Sequence, residues 1–371
     1  MKGLLCYSLL LKASLTFGAI LASRQNTSVA CNNSPALCSR PYSNITQLGA
    51  HDSPFLVNSS GSSNTISLSG AGNQNVDSPT QLSAGVRLLT AQVHNSNGEW
   101  HLCHTSCSLL DAGTLRSWLS SIKTWLDANP HDVVTILLVN SDNASPSELD
   151  AEFQAANIKS YAYTPSSTTT ALETWPTLQD MIAKNTRLVT FVASLAPSSN
   201  TAAPYLLDEF TFVFENPYNV TEATGFSCDA DRPPTLKGQT ATAVSSGRLP
   251  LVNHFLDQQI LGSIDTPNTS YIETTNGMSG VGNLQQAASN CAGAYGRAPA
   301  FLLVDFFDEG SAINVVNNIN GIAASVTGQK KPSTTAALSS NSGVRTTGSK
   351  QGWIGAFAVT GLVYIVSGLV F

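Results

Sequence analysis

Short apolar runs of five to seven residues alternate along this chain with longer stretches in which apolar positions recur every three or four residues. The runs Ile45–Ala50, Arg87–Val93, Val133–Val139, Leu188–Val192, Phe210–Glu215, Leu249–Asn253 and Phe301–Phe306 are bounded by polar residues, as buried strands are. The clearest helical pattern is Thr114–Ala128, which puts Leu115, Trp118, Leu119, Ile122 and Leu126 on one face and stops at Asn129-Pro130. Ser147–Ala156, Leu178–Asn185 and Ala312–Ala324 are further predicted helices. Strand and helix in turn imply a parallel sheet with crossover helices. With seven or more strands in one domain, we read the class as α/β, a single distorted (β/α) barrel of TIM type.

The two ends break this pattern. Residues 1–23 read as a signal peptide: Lys2 gives the positive start, Leu4 to Leu21 is mostly apolar, and Ala19, Ala22 and Ser23 are small enough for cleavage. The last 19 residues, Trp353–Phe371, are uncharged, yet no Lys or Arg cluster follows them as a stop-transfer signal would require. A polar spacer, Val344–Gly352, precedes them, and the small trio Asn341, Ser342, Gly343 precedes the spacer. That order is the signal for a glycosylphosphatidylinositol (GPI) anchor, with Asn341 as the expected attachment residue and 344–371 as the segment removed. Residues 330–343, rich in Ser, Thr and Ala, read as a stalk, which leaves 24–329 for the barrel. The mature protein is therefore expected at the cell surface, lipid-anchored to the outer leaflet of the plasma membrane or to the wall.

Six cysteines remain once Cys6 leaves with the signal peptide: Cys31, Cys38, Cys103, Cys107, Cys228 and Cys291. An even number in an exported chain implies disulfides, although six cysteines allow 15 connectivities. Short loops favour local closure, so Cys31–Cys38 and Cys103–Cys107 would leave Cys228–Cys291. Seven Asn-x-Ser/Thr sequons, at Asn26, Asn32, Asn44, Asn58, Asn143, Asn219 and Asn268, fit the same compartment. A net charge of −6 without a basic run argues against a nucleic-acid partner. We expect a monomer.

Catalytic groups of a parallel barrel project from the C-terminal ends of its strands. The first predicted strand ends in Gly49-Ala50-His51-Asp52-Ser53-Pro54, and the second leads through Thr90, Gln92 and His94 towards Cys103-His104-Thr105. The last carries Asp305, then Asp308 and Glu309. Of six histidines in the chain, two thus stand at strand ends near carboxylates. Two such imidazoles can divide general-base and general-acid work on a phosphodiester, each steadied by an acid behind it.

These segments resemble a known family. Asn44-Ile-Thr-Gln-Leu-Gly-Ala-His-Asp-Ser, then Gly85-Val-Arg-Leu-Leu, then Leu102-Cys-His104 look like the X-region of phosphatidylinositol-specific phospholipase C. Thr114–Pro130 with Val133–Val139, Thr177-Leu-Gln-Asp-Met-Ile with Arg187-Leu-Val-Thr-Phe, and Leu303-Val-Asp305-Phe-Phe follow in the family's order, over about residues 40 to 325. The likeness is to fungal secreted phospholipase-C-like phosphodiesterases. It implies that His51 is the general base, His104 the general acid, Asp305 the carboxylate orienting the base, and Asp52 the acid supporting the second histidine, as in the metal-independent bacterial branch.

The chain also departs from the family. Where bacterial members carry an arginine on the second strand, and calcium-dependent members carry acidic ligands, Thr90 and Gln92 stand. A charged residue is likewise replaced by Asn140 at the end of the third strand. His94, two residues past Gln92, would share its face and could supply a positive charge. Arg87, at the strand's opposite end, reads as structural. Thr90, Gln92, His94 and Asn140 are thus the expected substrate-binding positions. The reading is a phosphoric diester hydrolase without metal or other cofactor, acting on a phospholipid or glycolipid phosphodiester through a cyclic phosphate. Its rivals are a barrel that has lost catalysis and serves as a surface or wall binding protein, and a glycoside hydrolase using Asp305 and Glu215.

Overall fold

The seven predicted strand runs all overlap strands in the computed structural model, which describes residues 29–57, 72–195, 200–260 and 264–332. In chain order the strands are β1 (Gln47–Ala50), β2 (Leu88–Ser96), β3 (Glu99–Cys103), β4 (Asp111–Thr114), β5 (Val134–Asn140), β6 (Leu188–Ala193), β7 (Leu206–Asp208), β8 (Val213–Glu215), β9 (Leu249–Asn253), β10 (Asp257–Ile260), β11 (Ile264–Pro267) and β12 (Phe301–Val304). The helices are α1 (Ser78–Ala84), α2 (Leu115–Ala128), α3 (Pro146–Ala155), α4 (Leu178–Ala183), α5 (Glu209–Phe212), α6 (Thr240–Ser245), α7 (Ile272–Thr275), α8 (Leu284–Tyr295) and α9 (Ala312–Ile319).

Eight strands pair in parallel in the order β7-β6-β5-β2-β1-β12-β9-β8, so the strands follow chain order from β1 to β7 and from β8 to β12, and the last strand, β12, lies beside the first. The sheet is strongly curled. On a flat sheet, β6 and β12 would stand about 19 Å apart at about 4.8 Å per strand. Yet the rings of Phe191 on β6 and Phe301 on β12 have centroids 6.2 Å apart, and both touch the interior cluster around Trp175 and Phe212. Alternation along β2 shows the two sides of this wall: Leu88 faces the interior cluster, whereas Leu89, Ala91 and Val93 face the helices.

The barrel is unclosed between β7 and β8, where no strand pairing is formed among the described residues. The cause is the link. A parallel neighbour needs a crossover of a dozen or more residues, and β7 is joined to β8 by the single turn α5 alone. Asp208 caps that turn by accepting from the Thr211 amide at 2.8 Å. The predicted strand Phe210–Glu215 therefore begins three residues late, and β7 before it was not anticipated.

Helix α2 follows its pattern closely. Thr114 accepts from the Ser117 amide as its cap, and the apolar face is buried. Trp118 and Trp125 on that face donate to Ser78 and Ser83 at 2.8 and 2.9 Å, which fastens α2 to α1. Arg87 is buried at the N-terminal end of β2, donating to Asp132 and Asn33 at 2.6 Å each, a structural role. The cysteines are joined as Cys31–Cys38, Cys103–Cys107 and Cys228–Cys291. The expected leader 1–23, attachment segment 344–371 and residue Asn341 lie outside the described residues, as does the stalk beyond residue 332.

Candidate active site

Strand β1 ends at Ala50, and the next residues turn at the mouth of the barrel. Asp52 has φ 46°, a left-handed conformation that Asp tolerates better than most residues. The turn breaks strand alternation, and consecutive His51 and Asp52 both line the mouth. The Asp52 amide is fixed by the Thr90 hydroxyl on β2 at 2.8 Å. The cavity they border is about 270 Å³ and draws on β1, β2, β5, β8, β9 and β12.

His51 is held on three sides. Its Nδ1 meets Asp305 Oδ1 at 2.9 Å, and its ring stacks on Phe255 with centroids 4.0 Å apart and planes 4° apart. Its Nε2 lies 3.7 Å from Asp52 Oδ2. Asn73 donates to the same Asp305 oxygen at 3.1 Å. Burial acts to pull the His51 imidazolium down, but the Asp52 and Asp305 carboxylates more than offset it, and the pKa is pushed up to about 9.

His104 approaches from the other side. Its Nε2 lies 3.5 Å from the same Asp52 Oδ2, and its ring stacks on Phe55 at 5.1 Å. The Cys103–Cys107 bond closes the loop that carries it. Gln92 donates to Asp52 Oδ2 at 2.8 Å and accepts from the Thr105 amide at 2.9 Å, tying Asp52 to the His104 loop. One carboxylate thus stands between two imidazoles.

The expected residues therefore part company. His51, Asp52, Thr90, Gln92, His104 and Asp305 converge, with Thr90 and Gln92 serving Asp52 rather than projecting a charge. His94 does not join them. Strand β2 runs on beyond the barrel to pair with β3, where His94 stands opposite His101 and meets Asp142 at 3.4 Å. Asn140 spends its amide locally, donating to the Ala144 carbonyl and accepting from the Ala144 amide.

Several residues of the mouth carried no sequence signal for this role. Arg232, in the β8–α6 connection, pairs with Glu215 and lies over the Tyr218 ring at 4.6 Å. Asn253 donates to the same Glu215 oxygen at 2.8 Å. Burial pushes Glu209 well up, and the adjacent Glu215 charge pushes the same way. Burial works against Glu215 too, but Arg232 and its hydrogen-bond donors hold its carboxyl below the usual range. Asp257, at the start of β10, is pushed up to about 7 by burial and by the Asp305 charge, against the pull of His51. Asp305 Oδ2, Glu209 Oε1 and Arg232 Nε are buried without a hydrogen-bond partner among the described residues. Glu215 and Asn253 end predicted strands and Phe255 lies two residues past the β9 end, so these three were within reach of sequence reasoning.

The PI-PLC X family model, described as "PI-PLC X 1", matches residues 37–320. The chain belongs to this family. Among PI-PLC X relatives, "PI-PLC X domain-containing protein 1" of Arthroderma benhamiae is 37% identical over 294 residues, covering 79% of this chain and 90% of that protein. A second protein of the same fungus, named "Uncharacterized secreted protein", is 38% identical over 299 residues; the match covers 79% of this chain but 64% of that longer relative. The phosphatidylinositol-specific phospholipase C of Listeria monocytogenes superposes with a TM-score of 0.48 at 15% identity, over 76% of this chain and 94% of its own.

Proposed function

We propose that this PI-PLC X barrel is a phosphoric diester hydrolase of phospholipase C type. The observation that carries the reading is the approach of the His51 and His104 Nε2 atoms to one Asp52 oxygen, at 3.7 and 3.5 Å. A hydroxyl adjacent to the phosphate attacks phosphorus and passes its proton to His51. The lipid alcohol leaves with a proton from His104, and a cyclic phosphate remains. Asp305 steadies His51 through Nδ1, and Asp52 steadies both rings as charge moves between them. The substrate class is a phosphoinositide, a glycosylated lipid anchor or a lysophospholipid. The test is a screen of the purified protein on these lipids for a cyclic phosphate product. No turnover on any of them refutes the proposal.

One observation favours a second reading, a binding protein without catalysis. Gln92 and Thr90 are taken up by Asp52, and the cavity's guanidinium, Arg232, is already paired with Glu215. The lining's other cationic group, His51, is likewise faced by Asp52 and Asp305, so a phosphate finds little uncompensated positive charge. Lipid binding without product would establish this alternative.

We further propose that the protein is exported and anchored at Asn341. The three disulfides and the sequons support export, as does a relative whose name marks it as secreted. Release from cells by a phospholipase that cuts lipid anchors is the expected result. Retention in the membrane contradicts the anchor.

A further inference from the structure

His51 has two ring nitrogens, and only one of them can serve as the base. Nε2 lies towards Asp52 and the mouth, whereas Nδ1 is turned to Asp305. When the imidazolium gives up one proton, the bond made by one nitrogen decides which of the two keeps the other proton. Asp305 supplies that bond through Oδ1, but its second oxygen, Oδ2, is buried without a hydrogen-bond partner among the described residues. Nothing in the His51–Asp305 contact alone tells the two oxygens apart.

Asn73 does. It lies in the connection between β1 and α1, is 3% exposed, and its Nδ2 donates to Asp305 Oδ1 at 3.1 Å. A carboxylate oxygen offers two lone pairs. His51 Nδ1 takes one at 2.9 Å and Asn73 takes the other. Asn73 Nδ2 also lies 3.4 Å from His51 Nδ1. If Nδ1 accepted there, it would face Oδ1 at 2.9 Å with no proton between two lone pairs. Nδ1 therefore carries a proton, and Asn73 donates to Oδ1.

Main-chain bonds build the frame around this contact. The Asn73 amide donates to the Phe55 carbonyl at 2.8 Å, and the Asn73 carbonyl accepts from the Phe306 amide at 2.8 Å. Phe306, directly after Asp305, has φ 42°, a left-handed conformation that is uncommon for a bulky side chain. Asn276 fixes the other side of this turn, its Nδ2 donating to the Asp305 and Phe306 carbonyls at 2.8 and 3.0 Å. Any residue at position 73 would keep the two main-chain bonds. What the Asn73 side chain adds is the donor to Asp305. It does so with its own Oδ1 buried and unpartnered among the described residues, an orientation that packing alone does not require.

We propose that Asn73 is a positioning residue for the base, holding Asp305 Oδ1 in line with His51 Nδ1–H so that Nε2 is the nitrogen that exchanges the proton. The assignment rests on the reading of His51 as the general base. Asn73 acts through Asp305 and is given no contact with substrate.

The test is nitrogen NMR of the His51 ring in the full chain above about pH 9, where the ring is neutral, with His51 assigned from a His51→Ala spectrum. In the wild type the Nδ1-protonated tautomer should exceed the Nε2-protonated one by about tenfold. Asn73→Leu keeps the size of the side chain without a donor, and the two tautomers should then come within about twofold of each other. Asn73→Ala repeats the measurement if the leucine variant does not fold. On any lipid that is turned over, kcat of the variant should fall about 10- to 100-fold with KM unchanged, because a misplaced base slows the chemical step and not binding. A folded variant with the wild-type tautomer ratio overturns the proposal, and so does a loss of stability with kcat unchanged. A wild type with its proton on Nε2 overturns the base reading together with the proposal. Absence of turnover overturns the diesterase reading alone, since the tautomer is read without substrate.

Discussion

Replacing Asp305 by Asn tests the geometry of the candidate site without relying on any substrate. In the native protein His51 is pushed from its ordinary 6.5 up to about 9. At 1.36 kcal/mol per pH unit, this is about 3 kcal/mol in favour of the imidazolium after burial has been offset. Asp52 and Asp305 carry most of that attraction, and Asp305 adds the 2.9 Å hydrogen bond. An amide at this position would keep the shape but lose the charge, so the His51 pKa should fall by at least about one unit. The assay is an NMR titration of the six histidine rings, with His51 assigned from a His51→Ala spectrum. Stability gives a second reading. A folded pKa above the unfolded value contributes stability that is complete below about 6.5 and lost as pH rises through about 9. Wild-type unfolding free energy should therefore decline more steeply between those pH values than that of the Asp305→Asn variant. If His51 titrates at the same pH in both proteins, the Asp305 contact does not govern it and the orienting role fails.

Further outcomes follow from the same geometry. If His51 is the base, kcat/KM should climb with pH towards about 9, whereas a fall through that range would make His51 the acid instead. A substrate with a very acidic leaving alcohol should rescue His104→Ala but not His51→Ala, each of which otherwise costs about 10²–10⁴-fold in rate. Since Thr90 and Gln92 occupy the second-strand positions at the mouth, chelation should leave turnover intact; loss in chelator restored by calcium would contradict this. Opening the Cys228–Cys291 bond, which spans 63 residues, should cost about 4 kcal/mol in denaturant unfolding. An unchanged midpoint would show that this bond does not constrain the unfolded chain.

The sequence by itself determined the alternation of strands and helices, and with it a parallel barrel, because buried strands and amphipathic helices carry different periods of apolar residues. It also marked His51, His104 and Asp305, since a titratable residue at the end of a buried run has few structural reasons to be there. What it could not determine was which groups meet. Period two tells which face a side chain takes, yet His94 shares a strand with Gln92 and still falls outside the mouth, because β2 continues past the barrel to pair with β3. Asn140 ends a strand at the expected place but caps its own turn. Arg232 reaches the site from a long connection, held there by Glu215, which Asn253 fixes in turn across the sheet. The seam between β7 and β8 depended on α5, whose Phe-Thr-Phe pattern reads as strand until the Asp208 cap turns it into a helix. Local pattern fixes each element and its buried face. The site depends on contacts between residues far apart in the chain, and those are set by how the whole sheet curls.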